Sequence, residues 1–199
     1  MNETGLTLDR VTERLFTHAR TPQYWLDTPV DDAQLHQLYE WAKWGPTSMN
    51  TQPMRLIFVK SESERQRLSE CVSPGNVEKV QKAPVVVIVG QDMAFVDHLP
   101  TVFPHNPNAR SFFDGKPDMI ASTAIRNSSL QGGYLILAAR LMGLDCGPLS
   151  GFNPAAVDAQ FWAGTSVRSN FLCCLGHGDP ARQSPRNPRH AFEAACRIV

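Results

Sequence analysis

Ser48, Asn50 and Gln52 alternate along the stretch Pro46-Thr47-Ser48-Met49-Asn50-Thr51-Gln52-Pro53, directly before the apolar run Leu56-Ile57-Phe58-Val59. The two prolines fix the backbone at both ends, and the three side chains between them offer hydrogen-bond donors and acceptors. Groups of this kind suit a flat heterocycle with imide and carbonyl edges. The same composition also describes an ordinary polar connection between a helix and a strand.

Other chemistries lack their residues. No Walker loop occurs, and Gly176-His177-Gly178 runs into Asp179-Pro180 without the third glycine of a dinucleotide fingerprint. The six histidines contain no His-Glu-x-x-His pair, and His98 and His105 stand too isolated to argue for a metal. Gly147-Pro148-Leu149-Ser150-Gly151 has its serine in the wrong place for a hydrolase elbow. No side chain stands out as a nucleophile or general acid, so no catalytic residue is named.

At 199 residues and 42% hydrophobic content, the chain is long enough to bury one sizeable core, and residues 1–199 read as a single domain. Nineteen basic residues balance nineteen acidic ones, which argues against nucleic acid or an anionic membrane and for small molecules or protein as partners. Met1-Asn2-Glu3-Thr4 opens no basic and apolar leader, and no run approaches a membrane span, so a soluble cytoplasmic protein is expected. Cys71, Cys146, Cys173, Cys174 and Cys196 are odd in number without paired metal spacing, and read as reduced core thiols.

These groups need a scaffold. Leu8, Val11, Leu15 and Phe16 recur at helical spacing, and so do Leu35, Leu38, Trp41 and Ala42, after a capping Asp31 and before Gly45. Both segments read as amphipathic helices. Residues 56–59 predict a strand, with a helix after it opened by Ser61 and Glu64, and residues 84–89 predict a strand covered on both faces; the two strands are expected in the middle of a sheet. Residues 118–144 predict a buried central helix, in which Gly132 and Gly133 each cost about 1 kcal/mol against alanine and imply a close helix contact. Strands at 145–149 and 170–175, a helix at 154–162 and an extended, arginine-bearing tail complete the set. Residues 97–114, with three prolines and three phenylalanines, are too apolar for a solvated loop and too proline-rich for a helix, and suggest a lid.

The loop resembles the Pro-Ser-x-x-Asn-x-Gln-Pro signature of the nitroreductase family, with Thr47 between the proline and the serine. The resemblance implies FMN as cofactor, NADPH or NADH as reductant, and an α+β fold. That fold has a central mixed, mostly antiparallel sheet flanked by helices, and forms a two-fold homodimer with the long helix near the interface and FMN between subunits. It also implies roles for particular residues. Ser48, Asn50 and Gln52 would address the flavin, and Arg20 with Thr21 would hold its phosphate, as a guanidinium and a hydroxyl do well. The family's second arginine is replaced by Gln23. Arg186 and Arg189, in Arg186-Asn187-Pro188-Arg189, resemble a basic tail motif that returns to the phosphate, although the tetrapeptide alone also describes a solvated tail. Pro148, Leu149, Ser150 and Gly151 resemble the strand-to-loop passage under the ring, where a backbone N–H addresses flavin N5. Asn76, in a Pro-Gly-Asn turn, is a further candidate for the pyrimidine edge.

Phe103-Pro104-His105, Ala109-Arg110-Ser111, Arg126-Asn127-Ser128-Ser129 and Gly147-Pro148-Leu149-Ser150-Gly151-Phe152 resemble the malonic semialdehyde reductase branch, associated with pyrimidine breakdown. That branch implies hydride transfer to the aldehyde carbon of a small 3-oxo acid, giving 3-hydroxypropionate. Arg110 would then bind the substrate carboxylate, or else remain at the surface or pair with Asp114. A general nitroaromatic or quinone reductase, and a flavin-binding protein without turnover, are the alternatives.

Overall fold

The computed structural model describes residues 7–199, so the opening Met1-Asn2-Glu3-Thr4 lies outside the described residues. In chain order the elements are α1 (Leu8–Thr12), running into a π-helical turn at Glu13–Thr17, then α2 (Asp32–Ala42), β1 (Met54–Val59) and α3 (Glu62–Ser69). They continue with α4 (Val77–Lys82), β2 (Val85–Asp92), α5 (Leu99–Val102) and α6 (Pro117–Leu141). β3 (Asp145–Leu149), α7 (Pro154–Phe161), β4 (Val167–Gly176) and the short α8 (Phe192–Ala195) follow.

The sheet order is β1-β2-β4-β3, and every pairing is antiparallel rather than mixed. β1 therefore lies at an edge, not in the middle as expected; β4 takes the central place beside β2. The reason is visible in β2, where alternate side chains serve two cores. Val85, Val87 and Val89 pack with Leu35 and Leu38 of α2 and Leu135 and Ala139 of α6, while Val86 and Ile88 pack with Leu68 of α3, Val80 of α4 and Val157 of α7. A strand sandwiched this way must be apolar at every position. Cys173 and Cys174 fill the two opposite cores, and burial pushes the Cys174 thiol up to about 12, so it packs as a neutral group.

Several local expectations change. Asp31 forms a reciprocal capping box with Gln34 on α2, but α1 and the turn after it bury no residue, and Leu8 is 80% exposed. Gly132 does not serve a helix contact: a Cβ there would lie 2.6 Å from the ring of Phe171 on β4, so the glycine lets α6 settle onto the sheet. Residues 97–114 do form helical turns, at Phe95–His98, Leu99–Val102 and Ala109–Phe113, because Pro100 sits in the first turn of α5, where a missing N–H costs nothing. Those turns enclose a small core of Phe95, Leu99, Ala109 and Phe113 against Ala124 of α6. Among the described residues no helix is long and apolar enough to cross a membrane.

Candidate functional site

The Pro46–Pro53 stretch is held in an unusual shape. Met49 and Asn50 have φ of 51° and Gln52 has φ of 41°, three non-glycine residues in the left-handed region. Each costs on the order of 1–3 kcal/mol and persists only where its surroundings over-determine it. Here they do. Two buried amides one turn apart on α6 grip the two ends of the loop: Ser48 N–H donates to Asn127 Oδ1 at 2.8 Å, and Met54 N–H donates to Gln131 Oε1 at 3.0 Å. Asn127 is itself oriented by donating from Nδ2 to the Thr123 carbonyl at 2.8 Å. Arg55 Nη1 donates to the Gln52 and Met54 carbonyls, both at 3.0 Å, and Nη2 donates to Asp92 Oδ2 at 2.6 Å.

Asp92 is 4% exposed and serves as the anchor of that clamp. Burial would raise its carboxyl, but hydrogen bonds from Ser166 Oγ and the Ala94 N–H, with the charges of Arg55 and His98, outweigh burial and hold it below the ordinary carboxylate value. The Asn50 carboxamide donates to the Val102 carbonyl at 2.6 Å, tying the loop to the turns after β2. Thr51 Oγ1 is buried without a partner among the described residues, beside a cavity of about 240 Å³ that Gln52, Arg55, His98 and Gln131 also line. Asn127, Gln131, Arg55 and Asp92 were missed as site residues. Amides at i and i+4 on a helix read as buried were the available signal for the first two.

Far along the sequence, the structure brings four predicted residues together. Arg20, Thr21, Arg186 and Arg189 line one cavity of about 630 Å³, with Gln23 and an unpredicted Arg140. Arg186 Nη2 donates to the carbonyls of Thr17 at 2.6 Å and Ala19 at 2.8 Å, and Arg20 donates to the Ser184 carbonyl, so the tail folds back onto the first helix. Arg20, Arg140, Arg186 and Arg189 form no salt bridge among the described residues, whereas Arg55, Arg67, Arg110 and Arg182 each do. Guanidinium groups gathered without a carboxylate make a site for an anion.

The β3 residues form a third group. Leu149 is buried in the sheet core, while Pro148 and Ser150 are exposed. The Gly151 carbonyl accepts from the Ser73 N–H at 2.9 Å and from Asn76 Nδ2 at 3.0 Å, so Asn76 is brought to this loop. A Cβ on Gly151 would lie 2.6 Å from Asn76 Nδ2, so a larger residue would displace that carboxamide from the Gly151 carbonyl. Arg110 joins none of these groups: it is 60% exposed and pairs at 3.0 Å with Asp97, not Asp114. A larger cavity, about 910 Å³, lies between residues 23–31 and Lys60, Arg65 and Lys82. It holds no predicted site residue, and its lining mixes the carboxylates Asp27, Asp31 and Glu78 with the cations Lys60, Arg65, Lys82 and Arg182.

An unpaired arginine cavity and a rigid polar loop fit the phosphate and the ring edge of a flavin nucleotide. The protein-family model described as "Nitroreductase family" matches residues 17–177. The chain belongs to the nitroreductase family. Among curated proteins, this nitroreductase family member is 56% identical over 187 residues to "Putative NADH dehydrogenase/NAD(P)H nitroreductase HadB" of Ralstonia pickettii, covering 93% of this chain and 95% of that one. A protein of Cupriavidus pinatubonensis, described as "Putative NADH dehydrogenase/NAD(P)H nitroreductase Reut_A1586", is 53% identical over 189 residues, covering 94% and 96%. Among solved structures, a nitroreductase from Exiguobacterium sibiricum, described as in complex with FMN, has a TM-score of 0.84 at 18% identity and covers 100% of both chains. The nitroreductase-like fold, an antiparallel four-stranded sheet flanked by helices, is thus shared at a level where sequence identity has largely gone.

Proposed function

We propose that this nitroreductase family member is an FMN-dependent NAD(P)H oxidoreductase. The observation that carries the reading is the cavity between the first helix and the tail, where four guanidinium groups lack carboxylate partners among the described residues. A phosphate monoester, with about −1.5 to −2 charges near neutral pH, supplies the missing anion. Arg20, Thr21, Arg186 and Arg189 would hold that phosphate. Ser48, Asn50 and Gln52 would offer donors and acceptors to the ring, Asn76 its pyrimidine edge, and Pro148, Leu149, Ser150 and Gly151 a backbone N–H close to N5. FMN, when bound, supplies hydride transfer between nicotinamide and acceptor.

The reading takes residues 1–199 as one domain of a cytoplasmic homodimer. α6 leaves Met119, Leu130 and Tyr134 exposed on one side, and Trp44, 77% exposed, adjoins Gly45, where a Cβ would touch the Tyr134 ring. A second copy of the chain would cover this apolar face, and Ser48 and Asn50 would then serve the partner's flavin. A stable monomer in sedimentation at micromolar concentration that still binds FMN would overturn the dimer.

For the acceptor the reading is malonic semialdehyde, with pyrimidine degradation as its setting. Hydride from NADPH or NADH ends on the aldehyde carbon and a solvent proton on its oxygen, giving 3-hydroxypropionate and oxidised nicotinamide. Support comes from the resemblance of the Arg126-Asn127-Ser128-Ser129 segment to the malonic semialdehyde reductase branch. General nitroaromatic or quinone reduction is the second reading, favoured by the description of the relatives and by the pairing of Arg110 with Asp97. The test is the visible spectrum of the FMN-loaded protein under anaerobic addition of NADH and of NADPH, then kcat/KM for malonic semialdehyde against nitroaromatics and quinones. Bleaching with a preference for the semialdehyde is expected. Bound flavin that neither nicotinamide bleaches would leave a binding protein without turnover.

A further inference from the structure

We propose that Arg140, in the last turn of α6, is a phosphate-binding residue that fills the place left by Gln23. The inference rests on the flavin reading but comes from three separate observations. Arg140 lines the same cavity as Arg20, Thr21, Arg186 and Arg189, although it lies 120 positions after Arg20. It forms no salt bridge among the described residues, and its Nε is buried with no hydrogen-bond partner among them. Its Nη1 donates to the Leu15 carbonyl at 2.8 Å, next to the carbonyls of Phe16 and Thr17 that accept from Arg186.

Two guanidinium groups therefore flank one turn of the chain, just ahead of Arg20. Each spends part of its five-donor fork on carbonyls and keeps donors in reserve. Arg140 also stands on a 25-residue helix, α6. Arg20, Arg186 and Arg189, by contrast, sit on connecting segments. A cation on the helix fixes where the phosphate rests, and those on the segments close around it.

A merely structural Arg140 would cap Leu15 and do nothing else, and comparison of two flavins separates the roles. Apo-protein is titrated with FMN and with riboflavin, following flavin fluorescence, for the wild type, Arg140→Met and Arg140→Lys, with thermal melts of each apo-protein alongside. Arg140→Met is expected to weaken FMN roughly 10- to 100-fold and riboflavin less than about 3-fold. Arg140→Lys, a point charge without the fork, should lose about 3- to 10-fold for FMN alone. Inorganic phosphate should compete with FMN on the wild type and less well on either variant. FMN affinity unchanged in Arg140→Met, or equal losses for both flavins, overturns the proposal; if that variant does not fold, an unchanged FMN-to-riboflavin ratio in Arg140→Lys does so. A wild type that binds neither flavin instead overturns the flavin reading itself.

Discussion

The loop from Thr47 to Arg55 and the cavity around Arg20 meet opposite conditions. Polar groups at the loop's ends are largely satisfied from within the protein: Asn127, Gln131 and Arg55 each hold a specific backbone atom, and Asp92 anchors Arg55. Around Arg20 the positive charges have carbonyls but, among the described residues, no carboxylates. The first region is built before any ligand arrives, at the cost of three left-handed residues. The second is left electrostatically incomplete. Damage to the loop should therefore appear as lost stability and a reshaped ring site, and damage to the cavity as lost affinity that depends on salt.

The sharpest way to break the contrast is Arg55→Met, which takes the guanidinium from the buried Asp92 carboxylate, leaving it Ser166, the Ala94 N–H and His98, and frees the Gln52 carbonyl. A loss of about 2–3 kcal/mol is expected from weakening a buried, hydrogen-bonded ion pair. Urea unfolding of the apo-protein measures it, and a loss under about 1 kcal/mol would mean the clamp does not hold the loop. Next in size, Arg20→Ala should weaken FMN by roughly 10- to 150-fold, with riboflavin much less affected. Equal losses would place Arg20 in the fold rather than at the phosphate.

Gln131→Met keeps the length of the side chain but leaves the Met54 N–H unpaired, at about 1–3 kcal/mol. The visible circular dichroism of bound flavin should change with it; an unchanged signal would uncouple the α6 amides from the ring site. The Asp92 carboxyl, depressed in the folded state, adds stability that is fully present above the ordinary carboxylate value, near 3.9, and is lost as pH falls through its folded value. Asp92→Asn should flatten that acid limb, which unfolding curves below about pH 4 would reveal. The smallest effect is expected from Arg110→Met, because Arg110 is exposed and paired with Asp97. Under the carboxylate hypothesis KM for malonic semialdehyde rises and that for an uncharged quinone does not, while flavin reduction by NAD(P)H survives; parallel changes for both acceptors would remove Arg110 from the substrate site.

Much of this was legible in one dimension, and the reason differs by feature. Helical spacing located α2, a continuous β-branched run located β2 and an apolar, nearly uncharged stretch located α6, while the readings at 145–149 and 154–162 match β3 and α7. The Ser48-Asn50-Gln52 loop was legible because proline and polar side chains restrict a short segment without help. Misreadings arose where a neighbour decided. β1 reads as apolar as a central strand, yet its place at the edge is settled by which strands β2 accepts. Gly132 implied a helix contact, but the ring it accommodates is Phe171 on the sheet.

By itself, then, the sequence determined the elements and the chemical character of the loop, since both follow from short-range sterics and hydrophobic pattern. Only the tertiary structure decided that Arg20, Arg140, Arg186 and Arg189 share a cavity, that Asn127 and Gln131 grip the loop, and that Arg110 stands apart with Asp97. Charged and amide side chains have no periodicity that names a distant partner. Their pairing depends on where the chain returns in space, and that is set by packing of the whole sheet against its helices.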